Sequence, residues 1–200
     1  MTIRLDLSVA LLKATTRARA NRFKYAQHYM RALKIQKNCL DVGAGDHPFP
    51  DSSVLCDLSK ERGIKGHKAL KGTAFVLCDI HSLPFRDKAF PFVNCSQALE
   101  HADDPQQALS ELKRVAEHGH IETPHWFTEK ILYGCPQHKW IIRKKRGKLF
   151  YQKIVRAIVR RSFFELYNRL ALNPVMNFLL WNVINILDDL FHIINTRYTF

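Results

Sequence analysis

Short apolar runs closed by polar or acidic residues recur through the first two thirds of the chain. Residues 38–42 (NCLDV), 53–57 (SVLCD), 74–79 (AFVLCD) and 90–95 (FPFVNC) are blocks of Leu, Val, Phe and Cys bounded by turn residues. Blocks of this length and boundary predict buried strands. A fifth, 120–123, is stopped by Pro124. Between the fourth and fifth, Ala108, Leu109, Leu112, Val115 and Ala116 recur at helical spacing behind Asp103, Asp104 and Pro105. An acid at the N-cap with proline at the first helical position predicts a helix over 105–117, with Gly119 as its stop.

The flanks carry a different period. Leu11, Leu12, Thr15, Ala18, Phe23, Ala26, Tyr29, Met30 and Leu33 predict a helix over 8–34. Residues 138–142 and 149–152 read as a hairpin around Gly147, supplying antiparallel sixth and seventh strands. From 153 onward the pattern is helical, broken at Asn173-Pro174. The last predicted helix, 175–195, confines Asn177, Asn182, Asn185, Asp188, Asp189 and His192 to one stripe. Its wide apolar face needs cover from this domain, a second copy or a membrane interface. Its paired acids and short apolar run argue against a spanning helix. Only residues 46–52, with Pro48 and Pro50, separate the first glycine turn from the second strand, so the first crossover helix is reduced to a turn. These elements divide the chain into an N-terminal helical segment (1–37), an α/β domain (38–152) and a C-terminal helical segment (153–200).

Charge divides the chain at a slightly earlier point. The net charge of +13 lies outside residues 38–142, which hold 14 acidic and 11 basic side chains, against 4 and 20 in the flanks. Such flanks suit nucleic acid or an anionic membrane surface, or they are solvated helix faces. Of five cysteines, Cys39, Cys56, Cys78 and Cys95 lie inside apolar runs and read as buried free thiols of a reducing, cytoplasmic compartment. The N-terminus lacks the pattern of a secretory leader.

Candidate chemistry gathers at the ends of the strands. Gly43 and Gly45 give a turn that a ligand can approach closely. Asp57 and Asp79 end the next two strands, at the sheet edge where open α/β folds bind ligands. In order, LDVGAGDHP, VLCDLS, FVLCDIHSLPF, FVNCSQALEHADDPQQALSELKRV and HIETP resemble the class I S-adenosylmethionine-dependent methyltransferases, in the group with L-E-H-x-x-D-P after the fourth strand. The resemblance covers 38–142 and implies a Rossmann-like parallel sheet with a C-terminal antiparallel hairpin and S-adenosyl-L-methionine as cofactor. It implies that Asp41, Gly43, Ala44 and Gly45 hold the methionine tail. Asp57 and Leu58 would hold the ribose, Asp79 and Ile80 the adenine, and Ser96 and Gln97 the region near sulfur.

Methyl transfer needs little covalent help, so positioning and exclusion of water carry it. Where the acceptor loses a proton, His101 is the candidate base, with loop shaping as its alternative. Glu100, His125 and Trp126 border the acceptor side. Cys135-x-x-His138 with His125 has metal-ligand spacing but lacks a second pair, so no metal is expected. The expected acceptor is a small molecule or a glycan or lipid precursor. The alternatives are nucleic acid reached through the basic flanks, and a non-catalytic binding protein on the same fold. The C-terminal helix offers a peripheral membrane or homodimer contact.

Overall fold

The structure, a computed structural model, describes residues 23–36, 38–126, 129, 137–154 and 195–200. Five parallel strands form its centre: β1 (Cys39–Val42), β2 (Ser52–Asp57), β3 (Ala74–Leu77), β4 (Phe90–Ser96) and β5 (Ala116–Pro124). Helices α1 (Lys24–Ala32), α2 (Lys60–Ala69) and α3 (Pro105–Val115) accompany them. A hairpin, β6 (Trp140–Lys145) with β7 (Lys148–Lys153), and a strand β8 (Asn195–Thr199) complete the described elements. The sheet order is β3-β2-β1-β4-β5-β8, with β8 antiparallel to β5. This is the expected α/β, Rossmann-like arrangement. The parts of the predicted flanking helices at 8–22 and 155–194 lie outside the described residues, as does Cys135.

The first crossover is reduced, as the two prolines predict. Residues 43–51 join β1 to β2 without a helix. Phe49 instead plugs the face a helix would cover: it is fully buried, 5.4 Å from the Phe23 ring and 6.3 Å from that of Phe92. Ala26 and Met30 of α1 close over the same cluster with Cys39. Across the sheet, Leu40, Val42, Val93 and Cys95 pack with Leu112 and Val115 of α3. Asp104 caps α3 by accepting from the amides of Gln106 (2.9 Å) and Gln107 (3.0 Å), as its sequence predicts.

Four local expectations are corrected. The hairpin does not extend the main sheet; β6 and β7 form their own two-stranded sheet, and β8 takes the place beside β5. The hairpin is tight because Arg146 (φ 49°) and Gly147 (φ 73°) both adopt positive φ, the geometry that matches strand twist. Residue 195, expected to end a helix, begins β8. Gly119 is not a helix stop but lies inside β5, opposite Val93. A Cβ there would meet the Phe200 ring at 2.4 Å and Val93 Cγ1 at 2.9 Å, so close packing requires the glycine. Cys39 and Cys95 are buried free thiols, but Cys56 and Cys78 are joined as a disulfide. Adjacent parallel strands bring their Cα atoms to 5.9 Å, within bridging reach, and this removes the argument for a reducing compartment drawn from those two residues.

β5 also buries a titratable group. Both ring nitrogens of His120 lack a hydrogen-bond partner among the described residues. Desolvation first, then the charge of Arg197, pushes its pKa down to about 4. The unfolded imidazole takes up a proton near pH 6.5, so stability is intact above that value and falls as pH drops towards the folded pKa. Between pH 7.5 and 5 this group should cost about 2 kcal/mol. Urea unfolding of wild type and His120→Leu over that range tests it: the variant should show the shallower decline, and parallel curves would refute the assignment.

Candidate active site at the carboxyl edge of the sheet

The parallel strands aim their carboxyl ends at one edge, and the predicted cofactor residues collect there. Gly43 (φ 73°) and Gly45 (φ 53°) bend the chain after β1. Asp41, 2% exposed, lies under the bend: Oδ2 accepts from the Phe49 amide and Oδ1 from Asn94 Nδ2, each at 2.7 Å. Its role in the structure is to fix the turn. Asp57 is buried at the end of β2, where Oδ2 accepts from the Gly45 amide at 2.8 Å and Oδ1 from the Ser59 amide at 2.7 Å. A carboxylate offers about four lone-pair sites, so acceptor capacity remains for a diol. Asp79 Oδ1 takes the His81 amide (2.9 Å) and its Nδ1 (2.6 Å). The backbone and side-chain hydrogen bonds from His81 hold the Asp79 carboxyl below its ordinary pKa, and so ionised. Leu58 is 73% exposed beyond Asp57, and Ile80 is half-buried against the core.

The amides of Gly43 (2.8 Å) and Ala44 (3.3 Å) both donate to the Cys56 carbonyl, and that of Gly45 is held by Asp57. The turn's own donors are thus committed to joining β1 to β2. A cation stands beside them: a Cβ on Gly45 would lie 2.8 Å from Arg62 Nη2, so this guanidinium lies against the turn. Sequence reading missed Arg62 because it missed α2. The available signal was Ser59, whose hydroxyl caps the helix by accepting from the Arg62 amide. At the end of β4, Gln97 holds φ 57° and donates its amide to the Glu122 carbonyl at 2.7 Å. Ser96 Oγ is buried with no partner among the described residues.

His125 and Trp126 are brought to the far side of β5. With Tyr25, Arg143, Lys144, Lys145, Thr196 and Arg197 they line a cavity of about 580 Å³. Its aromatic rings carry cations: Arg197 stands 3.7 Å from the Tyr25 centroid and Arg143 4.9 Å from that of Trp126. Arg197 also binds Glu122 at 2.9 Å.

Glu100 and His101 occupy a single 3-10 turn, Leu99–His101, after β4. Glu100 is 1% exposed. Desolvation pushes its pKa up to about 7, against the pull of His138 and with Glu129 and Glu122 adding to the rise. Desolvation, then the neighbouring His138, lowers the pKa of His101. Desolvation works to lower that of His138 as well, but the Glu129 hydrogen bond and the Glu100 and Glu129 charges outweigh it and raise it. His138, grouped with Cys135 and His125 by spacing, therefore lies with Glu100, His101 and Glu129.

Part of the chain is similar to known proteins. Residues 51–121 match the family described as "Methyltransferase domain". An uncharacterized methyltransferase of Schizosaccharomyces pombe, C1B3.06c, is 45% identical over 62 residues, which is 31% of this chain and 22% of that protein. An uncharacterized protein of Methanocaldococcus jannaschii, MJ1123, is 30% identical over 83 residues, 40% of each chain. The chain spans less than half the length of these relatives. Among solved structures, an S-adenosylmethionine-dependent methyltransferase of Mesorhizobium loti is 17% identical with a TM-score of 0.42, covering 63% of this chain and 62% of its own. With its parallel strand order and glycine turn, the chain has a Rossmann-like fold, and its residues 51–121 are those of a methyltransferase domain.

Proposed function

We propose that the chain binds S-adenosyl-L-methionine at the carboxyl edge of β1–β4 and transfers its methyl group to a small anionic acceptor, of the glycan or lipid precursor class. The observation that carries this reading is the placement of the Gly43–Gly45 turn, Asp57, Asp79 and Ser96 at or just beyond the carboxyl ends of β1 to β4, with the Ser96 hydroxyl buried and without a partner among the described residues. Asp57 would take the ribose hydroxyls and Asp79 the adenine amine. Arg62 would take the tail carboxylate, in place of the missing helix N-terminus. When bound, the cofactor supplies an electrophilic methyl on a good leaving group. The chain's part is to orient the acceptor and exclude water. Arg143, Lys144, Lys145 and Arg197 beside Trp126 favour an acceptor with both negative charge and an apolar face.

Calorimetry with S-adenosylhomocysteine tests the cofactor site. Arg62→Ala should weaken binding about tenfold through loss of a charge-assisted contact. Asp57→Ala should weaken it more, because the turn also loses its anchor. Equal affinity in wild type and both variants would remove the reading. Transfer of labelled methyl into fractionated cell extract tests the acceptor. Label in the phosphorylated small-molecule or lipid fraction, reduced by Lys144→Ala with Lys145→Ala, supports it. Label confined to nucleic acid would overturn the small-acceptor assignment.

A further inference from the structure

A second cluster of chemistry-bearing residues lies beyond β4, built from segments far apart in sequence. Glu100 and His101 come from the turn after β4, and His138 from the residues that lead into β6. These segments are fastened together. The Lys139 amide donates to the Glu100 carbonyl at 2.9 Å, and Trp140 Nε1 donates to the Ala102 carbonyl at 2.9 Å. One ligand-type atom from each of Glu100, His101 and His138 lies within 4.8 Å of the other two.

The hydrogen bonds fix the imidazole tautomers. His101 Nδ1 faces the Gln137 carbonyl at 3.2 Å. A carbonyl only accepts, so Nδ1 carries the proton and Nε2 keeps its lone pair. His138 Nδ1 faces Glu129 Oε2 at 2.7 Å, which makes Nδ1 the donor there too and turns Nε2 towards Glu100 Oε1, 3.9 Å away. A carbonyl and a carboxylate on the remote nitrogens are the outer partners that orient metal-bound histidines.

Glu100 provides the independent observation. It is 99% buried, and neither carboxylate oxygen has a hydrogen-bond partner among the described residues. Glu129 is equally buried, and its Oε1 is likewise unpartnered. His138 does not supply the missing partner, since 3.9 Å is too long for a hydrogen bond to Glu100. A divalent ion on two neutral imidazoles and Glu100, with Glu129 behind, balances the charge and engages the orphaned oxygens.

We infer that Glu100, His101 and His138 form a binding site for a divalent first-row transition metal ion of the zinc class, with Glu129 orienting His138. Tetrahedral ligands around such an ion stand about 3.3 Å apart, so side-chain shifts of about 1 Å close the site. Three protein ligands leave the fourth position for water or an oxygen of a second molecule. The assignment makes His101 a ligand rather than a base. It goes beyond the cofactor reading and does not rest on it.

Cobalt(II) and zinc(II) titrations of the full chain, after chelator treatment, provide the test. Cobalt should give one equivalent of visible d–d absorption, displaced by zinc, and zinc should raise the melting temperature. Glu100→Gln and His138→Asn should each weaken zinc binding at least a hundredfold. Glu129→Gln should weaken it about tenfold, as an outer partner does. The exposed His28→Gln should leave it unchanged. Absence of the cobalt spectrum in wild type overturns the inference even if a variant fails to fold, as does zinc affinity unaltered in Glu100→Gln and His138→Asn. Calorimetry with S-adenosylhomocysteine on metal-free protein separates this failure from failure of the cofactor site.

Discussion

Replacing Gly43 with alanine should lower stability by about 2–5 kcal/mol and weaken S-adenosylhomocysteine binding beyond detection. Two separable costs add. The residue sits at φ 73°, where a side chain costs about 1–2 kcal/mol. Its new Cβ would also stand 2.4 Å from Ala98 Cβ, a contact that forces the turn and the segment after β4 apart, at about 1–3 kcal/mol. The costs can be told apart in the double variant. Ala98→Gly removes the opposing methyl and leaves the backbone strain, so it should restore roughly half of the lost stability in urea unfolding. A double variant no more stable than Gly43→Ala would show that the close approach of these two segments does not constrain the turn.

Phe49→Ala should cost about 3–5 kcal/mol, the range for a fully buried aromatic residue truncated in a core. Phe49 bears more than its own area. It is the centre of the cluster that joins α1 to the sheet where a crossover helix is missing, and its amide is the donor to Asp41. Loss of the ring should therefore loosen α1 as well, seen as faster amide exchange over Lys24–Ala32. Phe150→Ala, at a half-exposed site on β7, should stay within about 1 kcal/mol. Equal losses at the two positions would contradict the role given to Phe49.

What was legible in the sequence follows from how local its cause is. β1, β2 and β4 announce themselves because each is buried and hence apolar over most of its length. α3 does so because Asp104, Pro105 and the spacing of Ala108, Leu112 and Val115 all agree. Asp57 was placed correctly because a strand's end is where its apolar run stops, whereas β3 ends at Leu77, two residues before Asp79. α2 was missed because Lys60–Ala69 contains Gly63 and Gly66 and has little apolar periodicity. Those glycines answer to tertiary neighbours: a Cβ at 63 would strike the Phe75 ring and one at 66 the Gly45 carbonyl. Gly119 was misread for the same reason, since the Phe200 ring that demands it comes from beyond β8. The Cys56–Cys78 pairing and the meeting of Glu100 with His138 depend on which segments become neighbours, and no periodicity within either segment encodes that.

The pairing of β5 with β8 has a consequence for how the domain is assembled. Partners such as Pro124 and Asn195 are more than seventy positions apart, whereas β4 and β5 are linked through one 3-10 turn and α3. Closing so long a loop carries a larger entropic cost, so the nearer strands should zip first. Until the distant strand arrives, β5 is a bare flank with open amides and carbonyls, and the Glu122 carboxylate lacks its guanidinium. That interval is when a nascent chain is most exposed to strand pairing with its own siblings.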